Sequence, residues 1–268
     1  MTKYHEKPKH KMSKTLCAAA IGLALHSSYT LAADSVVLEK ITVTSQKREQ
    51  YINDVSIAVT AFSGEQMDAL GFESSTDLIA FTPGVSLAGD IGGQRAIFNI
   101  RGVVQNDYAD IAEAPVAVYV DGGYLASTQA QTFGLFDISR VEILKGPQGT
   151  LFGRNATGGM VNTITAKPTE ETEGYAEVTF ASFEQKRFEG AFSGSLNENV
   201  TGRISVMANK MGNILENIYE DGAEPDTRAG TEGGGEDGYN DDTKAVRGQL
   251  NFDLGNNANL LLSANWAD

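Results

Sequence analysis

Two clusters have residue types and spacing that could carry chemistry. Gly146, Gly149 and Gly153 follow Lys145 closely, with a density that resembles a phosphate-cradling loop. Their spacing fits neither G-x-G-x-x-G nor a Walker A, because no Gly-Lys-Ser/Thr follows. Glycines supplying positive φ in tight turns, with Pro147 stiffening one, are the stronger reading. The acidic run Glu236-Asp237-Gly238-Tyr239-Asn240-Asp241-Asp242 has oxygen ligands for Ca²⁺ but lacks EF-hand spacing, and reads as a solvated loop. Asn155-Ala156-Thr157 matches a glycosylation sequon, a match common by chance. Arg101 and Lys145 each follow an apolar strand and precede a glycine, so each sets a charge at the end of a buried element. The plainest use of such a base is a local pair, for example Lys145 with Glu142.

Histidine and cysteine chemistry is confined to the start of the chain. His5, His10, His26 and Cys17 are the only residues of those types, and all lie in residues 1–33. That stretch has the pattern of a secretory signal peptide: a basic region (Lys3, Lys7, Lys9, Lys11, Lys14), an apolar run over 16–25, and small residues for cleavage after Ala32 or Ala33. Cleavage leaves a chain without His or Cys. Ser-His-Asp and Cys-His catalysis, thiolate zinc sites and His-ligated haem are thereby excluded, and neither an enzyme nor a cofactor is expected. The full chain carries a net charge of −14, from 21 basic and 35 acidic residues. Removing five lysines and Glu6 leaves 16 against 34, or −18. Such a field repels phosphates, so no nucleic-acid partner is expected.

The elements that must position these residues fall into three parts. Twenty-nine glycines in 268 residues point to turns and β structure. Residues 34–50 read as a flexible segment in which Val37, Ile41 and Val43 suit a strand, with no hairpin partner at turn distance. Residues 51–167 read as a small α+β domain. Strands are predicted at 57–62, 96–100, 116–120, 141–144 and 161–165. Ser63 caps a short helix with Gln66 three positions on and Gly71 ending it. A second helix over 75–81 stops before Pro83-Gly84. Residues 174–268 alternate strictly in five segments, for example Phe188, Gly190, Phe192, Gly194 and Leu196 against Arg187, Glu189, Ala191, Ser193 and Ser195. Their lengths approach the ~9–11 residues that cross a bilayer as a tilted strand. Short links at 197–199 and 255–257 and a long acidic loop at 212–242 fit a transmembrane β-barrel. A soluble β-sandwich also alternates, so alternation alone leaves both open.

Three strings give this chain a family likeness. They are Asn99-Ile100-Arg101-Gly102, Val116-Ala117-Val118-Tyr119-Val120-Asp121-Gly122, and the run from Asp137 through Arg140, Glu142, Lys145, Gly146, Pro147, Gly149, Gly153 and Arg154 to Gly159. Together they resemble the plug domain of TonB-dependent outer-membrane receptors. Leu38-Glu39-Lys40-Ile41-Thr42-Val43-Thr44 sits where such proteins keep their TonB box. The resemblance implies residues 1–33 as signal peptide, 34–50 as TonB-box segment, 51–167 as an α+β plug domain, and 174–268 as the first antiparallel strands of an incomplete transmembrane β-barrel. It further implies that Arg101 and Lys145 face glutamates on the barrel wall. Lys145 stands where the family usually has Arg, giving a point charge instead of a fork.

The implied function is active uptake of a scarce ligand across the outer membrane of a Gram-negative bacterium. A siderophore-like metal chelate is the expected cargo, outer-membrane lipid the surroundings, and TonB of the inner-membrane energy-transducing complex the partner. No residue identifies the ligand. Five strands are far from the roughly twenty-two of such barrels, so an incomplete receptor is expected, with 51–167 keeping its own fold and 174–268 not inserting alone. A soluble periplasmic ligand-binding module, a plug without a pore, is the alternative.

Overall fold

The computed structural model describes residues 41–44, 47–88, 97–105, 113–127, 129–131, 133–214, 240–256 and 258–268. All lie in one compact unit, Lys40–Asp268. The signal-peptide reading, the first three TonB-box positions and most of the acidic loop lie outside the described residues.

The strands, in chain order, are β1 (Thr42–Val43), β2 (Gln50–Tyr51), β3 (Val59–Ser63), β4 (Val85–Ala88), β5 (Ile97–Ile100), β6 (Val116–Val120), β7 (Gly123–Tyr124), β8 (Ile138–Lys145), β9 (Gly159–Thr165), β10 (Glu173–Phe180), β11 (Lys186–Asn197), β12 (Val200–Met211), β13 (Asp241–Asp253) and β14 (Asn259–Ala267). Among the described residues two α-helices join them, α1 (Gly64–Leu70) and α2 (Gly149–Phe152). The expected α+β unit followed by antiparallel strands is present.

Local chemistry explains α1. Ser63 accepts from the Gln66 N–H while the Gln66 side chain accepts from the Ser63 N–H, a reciprocal capping box. Gly71 closes the helix at φ +70°, a left-handed conformation that costs a glycine little. Residues 77–81 form a 3-10 turn instead of an α-helix, because Pro83 stops the chain one turn later. Strand β4 and helix α2 escape a sequence reading: each is four residues long, too short for a period to show. Gly149 opens α2 with an ordinary backbone, whereas Gly146 and Gly153 take the positive φ expected of them.

The plug sheet runs β3-β8-β9-β6-β7, with β6 and β9 parallel and the other pairs antiparallel. Phe62, Phe72, Leu78, Phe98, Val118 and Ile143 pack on one face of it as a single core. Truncating a fully buried member such as Ile143 to alanine costs about 2–5 kcal/mol.

The second sheet is a meander, β10-β11-β12-β13-β14, antiparallel throughout. Its faces are inverted relative to a soluble sheet. On β11 and β12 the outward Phe192 and Ile204 are 60% and 53% exposed, while the inward Ser193 and Ser205 are 0% and 1% exposed. Polar side chains therefore line the face that meets the plug, and apolar ones face away. In water that arrangement forgoes apolar burial; in lipid it is favourable. The acidic loop ends sooner than expected, because Asp241 and Asp242 already pair with Met211 and Lys210 in the ladder.

Candidate functional site

The plug meets the outer sheet at several points, among them Gln185 Nε2 donating to Glu73 and Gln249 Nε2 to Thr165, and most of the charged contacts gather on one tripeptide, Leu135-Phe136-Asp137, just before β8. Three arginines at inward positions of β11, β12 and β13 converge on it. Arg187 Nη2 donates to the Leu135 carbonyl at 2.6 Å. Arg247 Nη1 donates to the Phe136 and Asp137 carbonyls, each at 3.3 Å, and its guanidinium lies 4.3 Å over the Phe136 ring. Arg203 grips the Asp137 carboxylate as a fork, Nε to Oδ2 at 2.9 Å and Nη2 to Oδ1 at 2.5 Å. The Asp137 N–H donates to Glu189 Oε1 at 2.8 Å. Glu189 also accepts from Arg187 Nη2 at 2.7 Å and from the Tyr175 hydroxyl at 2.6 Å. Guanidinium forks match carboxylates and paired carbonyls better than an ammonium does, and buried charges persist only when paired.

Sequence reasoning passed over these residues. Their signal was present in part: Arg187, Arg203 and Arg247 occupy the polar positions of alternating strands, and Asp137 opens the longest motif string. The alternation places them on the inner face but names no partner.

Arg101 and Lys145 lie together on another side of the plug. Arg101 follows β5 directly at φ +55°, and its N–H donates to the Gly84 carbonyl at 2.8 Å. Lys145 ends β8, and its Nζ donates to the Pro83 carbonyl at 3.2 Å. Burial and the neighbouring Arg101 charge hold the Lys145 ammonium below its usual pKa. The local pair with Glu142 does not form. An offset of three on a strand puts positions 142 and 145 on opposite faces, and Glu142 is bound elsewhere.

Of the positions expected to form a TonB box, Leu38, Glu39 and Lys40 lie outside the described residues. Ile41, Thr42, Val43 and Thr44 do not hang free as the sequence reading expected. Thr42 and Val43 pair with Tyr51 and Gln50 in a short antiparallel ribbon, and the Ile52 N–H donates to the Ile41 carbonyl at 3.0 Å. The partner strand lies seven residues after β1, beyond tight-turn distance. Val43 is fully buried. Thr44 donates to Glu142 Oε1 through its N–H at 2.7 Å and its hydroxyl at 3.0 Å.

Two further carboxylates set the local field. Partial desolvation of an otherwise exposed side chain, with Glu189 and Glu177 nearby, raises the pKa of Asp68. Asp121 is also partly buried, which pushes its pKa up. The Lys167 ammonium, 2.5 Å away, and the Thr165 hydroxyl and N–H outweigh that and hold it below the usual carboxylate value.

Comparison with known proteins agrees with this geometry. The family model described as TonB-dependent Receptor Plug Domain matches residues 52–160. The chain is 30% identical over 193 residues to the pesticin receptor of Yersinia enterocolitica, covering 71% of this chain and 28% of that protein. It is 28% identical over 195 residues to the vitamin B12 transporter BtuB of Photobacterium profundum, covering 72% and 31%. Its fold matches the crystal structure of the ferric yersiniabactin uptake receptor FyuA from Yersinia pestis with a TM-score of 0.66 at 22% identity, over 79% of this chain and 31% of that one. The chain thus spans under a third of the length of these relatives, all of which carry names of receptors or transporters and not of enzymes. With a five-stranded plug sheet, an inside-out meander clamped to it and a family match over residues 52–160, the chain carries the plug domain of the TonB-dependent receptors.

Proposed function

We propose that this chain serves a TonB-dependent receptor of the Gram-negative outer membrane that takes up a scarce ligand actively, with a ferric siderophore as cargo. The observation that carries the reading is the inverted meander: polar residues of β11–β13 buried on the plug, apolar ones turned outward. A soluble periplasmic module would hide those apolar residues, so this alternative is disfavoured. The names of the ferric yersiniabactin uptake receptor and of the vitamin B12 transporter support a bulky metal chelate as cargo.

In this reading residues 38–44 are the TonB box. They pair with periplasmic TonB by strand addition, and the energised inner membrane then pulls on the plug. Arg101 and Lys145 seat the plug by facing carboxylates of the barrel wall through charge-assisted hydrogen bonds. No enzymatic step is part of the function.

The test is growth and uptake under iron limitation, with and without this gene and with and without TonB, across a panel of ferric siderophores and cobalamin. The expected result is outer-membrane fractionation and uptake of one chelate that disappears without TonB. Release with the periplasmic fraction, or uptake indifferent to TonB, would overturn it.

A further inference from the structure

A two-residue strand such as β1 has no stability of its own, so something other than its ladder keeps it on the plug. Val43 supplies apolar contact. A further hold is one carboxylate. Glu142 stands mid-way along β8 with its side chain 0% exposed, and its charge is balanced by Arg140, Nε to Oε1 at 2.8 Å. Oε1 also takes both Thr44 donors, and Arg140 Nη2 reaches the Thr44 hydroxyl at 3.2 Å. The second oxygen, Oε2, is buried with no hydrogen-bond partner among the described residues. A buried carboxylate oxygen without a donor is costly, and the pairing of β8 with β3 and β9 does not require an acid at this position. A groove of about 660 Å³ borders the contact, lined by Thr44, Lys47, Glu49, Tyr119, Arg140 and Asn162, so there is open space beside it.

We propose that Glu142 is the positioning residue that keeps residues 42–44 docked, and that loss of its hold on Thr44 frees this segment for an added partner strand. The inference rests on the TonB-box reading for its purpose but not for its geometry. While Thr44 donates its N–H to Glu142, that N–H is closed to any partner strand; release returns it and uncovers Val43 at the same time. The position within β8 adds a mechanical consequence. The same strand follows directly on Asp137, where the wall arginines hold the chain, so a pull on residues 42–44 that acts through Glu142 reaches an anchored element.

The experiment uses the full chain in outer membranes, in a Cys17→Ser background. One cysteine replaces half-buried Ile41 and, as a control, another replaces exposed Asp54. Maleimide labelling rates are compared in Glu142→Ala, Glu142→Gln and Thr44→Val. Labelling at position 41 should rise about tenfold in Glu142→Ala, the factor for losing a charge-assisted hydrogen bond. It should rise less in Glu142→Gln, which keeps an acceptor, and in Thr44→Val, which keeps the N–H. Position 54 should not change. Unchanged labelling at 41 in all three variants would overturn the proposal. A rise at both positions in the Glu142 variants would report loss of the plug fold. Thr44→Val, which leaves β8 untouched, then decides: a rise at 41 alone supports the latch, and no rise refutes it. Labelling needs no TonB, so a latch that behaves as expected in a receptor whose uptake tolerates Ile41→Pro would sink the box assignment while leaving the latch standing.

Discussion

Replacing Asp137 by alanine takes the carboxylate from a guanidinium fork whose two side chains are 1% and 8% exposed. Breaking such a buried pair by removing one partner costs about 3–5 kcal/mol, because the remaining charge stays in place unpaired. Arg203 keeps a second carboxylate, Glu173, at 3.2 Å, and that side chain is 54% exposed. A solvent-screened contact of that kind returns no more than about 1 kcal/mol. The net loss is therefore about 2–4 kcal/mol, on the order of a 10²-fold rise in the population with plug and wall separated. Alanine also strains the backbone, since Asp137 sits at φ +50° and a side chain there costs roughly 1–2 kcal/mol unless it is Asn, Asp or Gly. Asp137→Asn removes the charge without that strain and should show about half the effect. The assay is urea-induced loss of trypsin protection of the plug in membranes, run as a double-mutant cycle with Arg203→Ala. Coupling well above the ~0.5 kcal/mol seen for independent sites is expected. Additive single effects would refute the clamp as an energetic unit.

Arg101→Ala and Lys145→Ala should loosen plug seating and raise sensitivity to large antibiotics that the intact outer membrane excludes; unchanged permeability in both variants would remove their seating role. Ile41→Pro or Val43→Pro should abolish energised uptake while ligand binding persists, because proline deletes a ladder donor from an added strand; TonB-dependent uptake surviving in either would move the box elsewhere. Asp121 has a native pKa below its ordinary value of 3.8. Its contribution to stability is therefore present above about pH 3.8 and lost as pH falls through the lower native value. Acid-unfolding curves of Asp121→Asn should lack that component, and curves superimposable on those of the parent chain would argue against it. Ser63→Ala removes one half of the capping box and should cost about 1 kcal/mol of plug stability in urea titration.

Much of this protein was legible in local pattern. Period-two alternation marks all five strands of the meander, because each side chain of a strand must face one of two environments. The Ser63, Gln66 and Gly71 spacing marks α1, because capping acts within one turn. The strings around Arg101, Asp121 and Lys145 carry the family likeness, and the plug-domain match covers them all. The short elements β2, β4, β7 and α2 stayed hidden, because their stability comes from what they pack on and not from their own sequence.

By itself, then, the sequence determined the alternation, the caps, the turns and the removal of histidine and cysteine chemistry from everything after residue 33. Tertiary structure alone decided which face of the meander is inside, since a period of two distinguishes two faces without saying which is covered. It alone showed residues 42–44 docked where the sequence read a free tail. It also decided the partners: Asp137 meets Arg203 across 66 positions, and Thr44 meets Glu142 across 98. A charge at a given position announces that it needs a counter-charge, but the residue that supplies it is chosen by how the sheet folds back over the plug.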